Sequence, residues 1–99
     1  MKVSKSSQRE IPRPFKFHWG EGYVTEEVSV KCSIDENSWE PTIQLLEYED
    51  GTQQLRFCVY DGRRFNRMPL IMGMQEMNAL AKLVEKSRGI KNLLPILVK

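Results

Sequence analysis

The chain has 99 residues, with 15 basic and 13 acidic side chains, one histidine and a formal net charge of +2. That length makes one domain with one modest core, and no apolar run approaches the roughly 20 residues of a membrane span. Cys32 and Cys58 are too few and too far apart for a zinc site, and their strand-like surroundings predict buried free thiols.

The charge is unevenly spread. Residues 1–20 carry five bases and one acid (+4), residues 21–55 one base and nine acids (−8), and residues 56–99 nine bases and three acids (+6). Such blocks either complement each other within the fold or across a dimer, or they leave a basic surface for an anion such as nucleic acid. The first fifteen residues hold positive charges but no apolar segment of the kind a signal peptide needs, so a cytoplasmic protein is expected.

Residues 1–20 read as a basic, flexible arm, with Ser4, Ser6, Ser7 and Gln8 polar and Pro12 and Pro14 forbidding a regular helix. The arm either follows a phosphate backbone or is simply solvated. Within it Phe15, Phe17 and Trp19 alternate with Lys16 and His18, as an edge strand or as an aromatic clip docked on the core. Residues 21–99 form the single folded domain. Tyr23 to Ile34 is a strand, with Val28, Val30, Cys32 and Ile34 on one face and Ser29, Lys31 and Ser33 on the other. Residues 35–38 make a loop, and Trp39 anchors it over one end of the core. Thr42 to Glu49 is the next strand. It places Ile43, Leu45 and Glu47 on one face and Gln44, Leu46 and Tyr48 on the other. Asp50-Gly51 signals a hairpin, and Gln53 to Tyr60 returns antiparallel.

Asp61-Gly62 then opens a basic turn holding Arg63, Arg64, Phe65 and Arg67, and Pro69 to Met72 reads as a short strand. At Gly73 the apolar period changes from two to 3.6. Met77, Leu80, Ala81 and Val84 share one face of a helix expected from about Met74 to Arg88, with Gly89 stopping it. The predicted architecture is α+β: a curved antiparallel sheet of about four strands followed by a C-terminal amphipathic helix. The tail beyond Gly89 holds Ile90, Leu93, Leu94, Ile96, Leu97 and Val98. It is hard to cover with so small a sheet and predicts a homodimer.

The order IQLLEYEDGTQQLRFCVYD, GRRFNR, MPLIM, MQEMNALAKLVEK over about residues 42–86 resembles the PC4-like (positive cofactor 4) family. That resemblance implies a homodimer that binds single-stranded nucleic acid, in the manner of a transcription cofactor, through basic and aromatic side chains on the sheet and its turns. By position, Arg56, Tyr60, Arg63, Arg64, Phe65 and Arg67 match that role. The chain departs from the family pattern in two places. Met74 and Met77 stand where the helix would begin with an aromatic, and the first hairpin strand carries Glu47, Glu49 and Asp50.

On the residues themselves, guanidinium groups at 63, 64 and 67 suit phosphate oxygens and Phe65 and Tyr60 suit bases. The alternative is a protein-interaction module built on Met68, Met72, Met74, Met77 and the apolar tail. Nothing in the chain composes a catalytic constellation, and the adjacent pairs Glu26-Glu27 and Glu49-Asp50 point to opposite faces of a strand. No enzyme activity, cofactor, metal or small-molecule substrate is expected.

Overall fold

The structure, a computed structural model, describes residues 2–6, 9–61, 64–66 and 72–98. The strands are β1 (Lys2–Lys5), β2 (Arg13–Phe17), β3 (Gly20–Ile34), β4 (Asn37–Tyr48), β5 (Gln53–Asp61) and β6 (Arg64–Asn66). Helices α1 (Met74–Val84) and α2 (Arg88–Leu93) follow, and a 3-10 helix, Leu94–Val98, closes the chain. The fold is α+β with an antiparallel sheet, and it differs from the sequence expectation in three ways. Among the described residues the sheet has six strands rather than about four, Lys2–Lys5 and Arg13–Phe17 are part of it, and the expected single helix is two.

The sheet is organised around β3, whose 15 residues serve three neighbours. On one edge β4 pairs with it, from Gly22 opposite Tyr48 to Ile34 opposite Asn37. On the other edge two strands share its length: β1 pairs from Lys2–Ser33 to Lys5–Val30, and β2 from Arg13–Val24 to Phe17–Gly20. Lys2–Lys5 and Arg13–Phe17 are therefore strands of the sheet rather than parts of a loose arm. Their few apolar residues fall on alternate positions, and the edge of a long strand gives their backbone donors and acceptors partners that local sequence cannot show. The β3–β4 turn is two residues long. Asp35 adopts φ 54°, a left-handed conformation that Asp tolerates. The loop expected over residues 35–38 is correspondingly shorter, and half-buried Trp39 stands within β4 opposite Cys32. At the β4–β5 turn Gly51 takes φ 90°, as the Asp-Gly pattern implies.

A β-bulge between Val24 and Glu26 decides which side chains face where. Before it, Gly20, Gly22 and Val24 share a face with Leu46 and Tyr48. After it, the odd residues Glu27 and Ser29 take that face beside Gln44 and Thr42. One extra residue, Thr25, thus reverses the alternation within a single strand. The opposite face carries Glu26, Val28, Val30 and Cys32, and it meets Ile43, Leu45, Leu80 and Ile90 in the main core.

Helix α1 crosses that face. Ala79, Leu80, Leu83 and Val84 pack on the core, while Met77 and Ala81 are exposed, so the buried stripe is rotated by about one residue from the expected one. Glu76 turns inward with the rotation. The second break with expectation is at Gly89, which lies inside α2 rather than ending α1. A Cβ there would collide with the Glu26 carboxylate and with Leu45, so glycine is the residue that lets α2 approach β3 and β4 closely. Ser87 Oγ donates to Glu26 Oε1 at 2.5 Å and Gly89 N donates to it at 2.9 Å. A carboxylate from the sheet thus caps a helix that has no acid in its own first turn. The expected strand over residues 69–72 lies outside the described residues, apart from Met72, which is in no element.

Candidate nucleic-acid interface

The face of the sheet away from the helices carries polar and aromatic side chains, and residues 9–12, ahead of β2, lie against it as a strap. Its anchor is Arg9. The Arg9 Nε donates to Glu27 Oε1 at 3.0 Å, one terminal nitrogen lies 3.4 Å from Glu40 Oε1, and the other is 3.1 Å from Ser29 Oγ. Its guanidinium carbon sits 4.0 Å from the centroid of the Tyr60 ring. The side chains of Arg9, Glu27 and Glu40 are only 6%, 8% and 2% exposed. Arg13 adds a second ion pair to Glu27 at 2.9 Å, and Gln44 Nε2 donates to the same carboxylate. The strap thereby brings two cations onto a face whose β3 and β4 residues are acidic, and the acids are neutralised from within the chain.

Beyond the strap the face becomes aromatic. Phe15 and Phe17 of β2 pair opposite Gly22 and Gly20; the missing side chain at Gly20 leaves room for the Tyr48 ring, and that at Gly22 lets the β4 backbone come close. Phe15 meets Tyr48 edge-on at 5.0 Å, and Phe17 stacks on Trp19 at 4.5 Å with the planes 19° apart. Trp19 Nε1 donates to Tyr48 Oη. Arg56 lies among these rings, its guanidinium carbon 5.9 Å from the centroid of Phe17 and 5.0 Å from that of Phe65. Arg56 Nε donates to Gln44 Oε1 at 2.7 Å, which holds the guanidinium in place. Phe65 in turn contacts the edge of Tyr60 at 5.6 Å. The outer rings remain open, with Trp19 61% and Phe65 47% exposed.

Of the residues that the sequence pattern singles out, Arg56, Tyr60 and Phe65 come together here. Arg64, exposed on the edge strand β6 and opposite Asp61, alternates to the other face of the sheet from Phe65. Arg63 and Arg67 lie outside the described residues. Tyr60 is buried, with a ring already against Arg9 and a hydroxyl against Gln44, so it supports the face rather than offering a free stacking surface. Arg64 stands apart from the acidic hairpin. Glu47 pairs with Gln53 and Arg64 with Asp61, eight positions further along β5, or roughly 26 Å at about 3.3 Å per residue.

The sequence pattern leaves out Arg9, Arg13, Glu27 and Phe17, yet they build this face. For Phe17 and Trp19 the alternation from Phe15 was the available signal. For Arg9 and Glu27 there was none, because their pairing spans 18 residues and depends on the bulge.

Both cysteines are buried and free, and burial pushes each thiol up to about 11. Among the described residues no group of three or more His, Cys, Asp or Glu is placed to hold a metal ion, and no helix is long and apolar enough to cross a membrane. Comparison with protein-family models, with curated proteins and with solved structures finds no match.

Proposed function

We propose that the strap-bearing face of the sheet binds single-stranded nucleic acid. The observation that carries this reading is Arg56 held between the rings of Phe17 and Phe65. A cation interleaved with partly exposed aromatics on one face suits a strand whose bases stack and whose phosphates run past. Bases stack on Phe65 and on the Phe17–Trp19 pair, and phosphates meet Arg56 on this face and Arg64 around the β6 edge. In this reading Arg63 and Arg67 belong to the same phosphate track. Because Arg9 and Arg13 neutralise Glu27, the buried acids beneath do not repel the polyanion.

The proposal includes the PC4-like character and the homodimer. A meander of strands followed by an amphipathic helix agrees with the first. Exposed Phe57, Met74 and Met77 supply apolar surface for the second. Met74, 79% exposed, also favours a second reading, in which the α1 methionines contact another protein.

Titration of labelled single-stranded and duplex DNA at two salt concentrations tests the proposal. Phe65→Ala is expected to weaken binding to the single strand by roughly 1–3 kcal/mol with an unchanged salt slope. Arg64→Ala is expected to flatten the slope of log K against log salt by about 0.7 and to act alike on every sequence. Wild-type affinity and slope in both variants, each folded by circular dichroism, would leave the protein-interaction reading in its place.

A further inference from the structure

The two strands on the outer edge of β3 do not meet. Strand β1 ends opposite Val30 and β2 begins opposite Val24, so residues 25–29 of β3 have no strand partner on that edge among the described residues. A cavity of about 580 Å³ opens there, between the strap on one side and the α1–α2 corner on the other. That volume lies within the about 300–1,000 Å³ common for small-molecule sites.

The charges around the cavity are unequal in what they already do. Glu26 accepts from Ser87 Oγ and from the backbone N–H groups of Gly89 and Ile90, and Glu27 is paired with Arg9 and Arg13. Glu27 is therefore neutralised by two guanidinium groups, and both Glu26 oxygens are taken up by hydrogen bonds from the chain. Lys5, Lys86 and Arg88 also line the cavity, and all three are exposed. None of their side chains makes an ion pair or hydrogen bond among the described residues. They arrive from separate places: the end of β1, the α1–α2 turn and the start of α2. Three unpaired cations converging on one hollow favour a multiply charged anion, and the pairing of lysine point charges with an arginine fork suits phosphate.

The remaining lining is apolar, with Ile11, Val28 and Leu83. The unpaired stretch of β3 adds backbone donors and acceptors at the rim, the groups that a planar heterocycle with polar edges uses. We propose that this cavity binds a phosphorylated nucleoside, with Lys5, Lys86 and Arg88 on the phosphates and the base over Ile11, Val28 and Leu83. The site is separate from the aromatic face and does not rest on nucleic-acid binding there. A free nucleotide and the 5′-phosphorylated end of a nucleic-acid strand offer the same chemistry.

Calorimetric titration of the full chain with ADP, adenosine and inorganic phosphate tests the site. ADP is expected to bind, with adenosine and phosphate each at least tenfold weaker, because each fills only part of the cavity. Lys86→Ala/Arg88→Ala is expected to weaken ADP binding by roughly tenfold or more, while its circular dichroism matches wild type, since both side chains are exposed. Phe65→Ala is expected to bind ADP as wild type does. A short 5′-phosphorylated oligonucleotide that displaces ADP assigns the site to strand ends, and failure to displace assigns it to the free nucleotide. The proposal is overturned if adenosine or phosphate binds as tightly as ADP, if the double variant binds ADP unchanged, or if Phe65→Ala abolishes ADP binding.

Discussion

Arg9→Ala tests whether the strap is held by its buried ion pairs. The side chain is 6% exposed and its fork reaches Glu27, Glu40 and Ser29, with the Tyr60 ring beneath it. Removing one partner of a buried pair costs about 3–5 kcal/mol, since the other charge stays buried without its counterion. Here Glu27 keeps Arg13 at 2.9 Å and the amide of Gln44, so the low end applies, about 3 kcal/mol. For a domain of this size each kcal/mol moves Tm by roughly 4–8 °C, which places the expected drop at about 12–24 °C. Lys91→Ala is the matched control. Its pair with Glu85 has the same kind of geometry, at 2.7 Å, but both side chains are largely exposed, and the loss should stay within about 0.5 kcal/mol. Urea denaturation gives the difference, and amide exchange over Arg13–Phe17 shows whether β2 loosens with the strap. Arg9→Lys keeps the charge without the planar fork and should recover only part of the loss. An Arg9→Ala protein within 0.5 kcal/mol of wild type, with β2 equally protected, would refute the reasoning.

Gly89→Ala should destabilise by roughly 1–3 kcal/mol in urea, although alanine is the better helix former, because the new Cβ meets the Glu26 carboxylate and Leu45. A stabilised variant would mean that α2 is free to shift. Thr25→Val should stabilise by about 1 kcal/mol, since the Thr25 hydroxyl oxygen is buried without a hydrogen-bond partner among the described residues and valine suits a strand. Melting temperatures decide it, and a loss of stability would show that the hydroxyl has a partner in solution. Stability should fall as pH rises from 9 through 11. Cys32 and Cys58 hold their protons up to about 11 when folded, against an ordinary 9.0, so above 9 the unfolded chain binds fewer protons than the folded one. Below 9 these thiols should contribute no slope, and Cys→Ser at both positions should flatten the alkaline limb.

The central meander was legible because its residues repeat locally. Val28, Val30 and Cys32, then Ile43 and Leu45, keep the two-residue period of a half-buried strand, and Asp50-Gly51 marks the turn between β4 and β5. The start of α1 at Met74 was equally visible from the change of period. What escaped depends on distant partners. Strand β1 is too short and polar to announce itself, and the alternation of Phe15 and Phe17 left an edge strand and an aromatic clip both open; the two strands exist because β3 is long enough to offer both an edge. The reading that Glu26 and Glu27 point to opposite faces holds, yet nothing local shows that one caps α2 while the other receives Arg9. Gly89 carries the usual mark of a helix end, and only its closeness to Leu45 explains its place inside α2. Within the interface, Arg56 and Phe65 were visible as types, whereas the contribution of Phe17 required the β2–β3 register.

The pairing of β1 with the far end of β3 also sets an order of assembly. Strands β2 to β6 each pair with a neighbour in sequence, so that meander needs only short loops to close. Lys2, by contrast, must wait for Ser33, and Arg9 for Glu40. During synthesis Lys2–Lys5 and Arg9 therefore emerge before the strands they join but reach their native contacts after those strands have paired. Until they do, Glu40 lacks its ion pair with Arg9, and of its two ion pairs Glu27 has only that with Arg13. The arrival of Arg9 completes both pairs, which makes this segment a closing step of folding rather than its beginning.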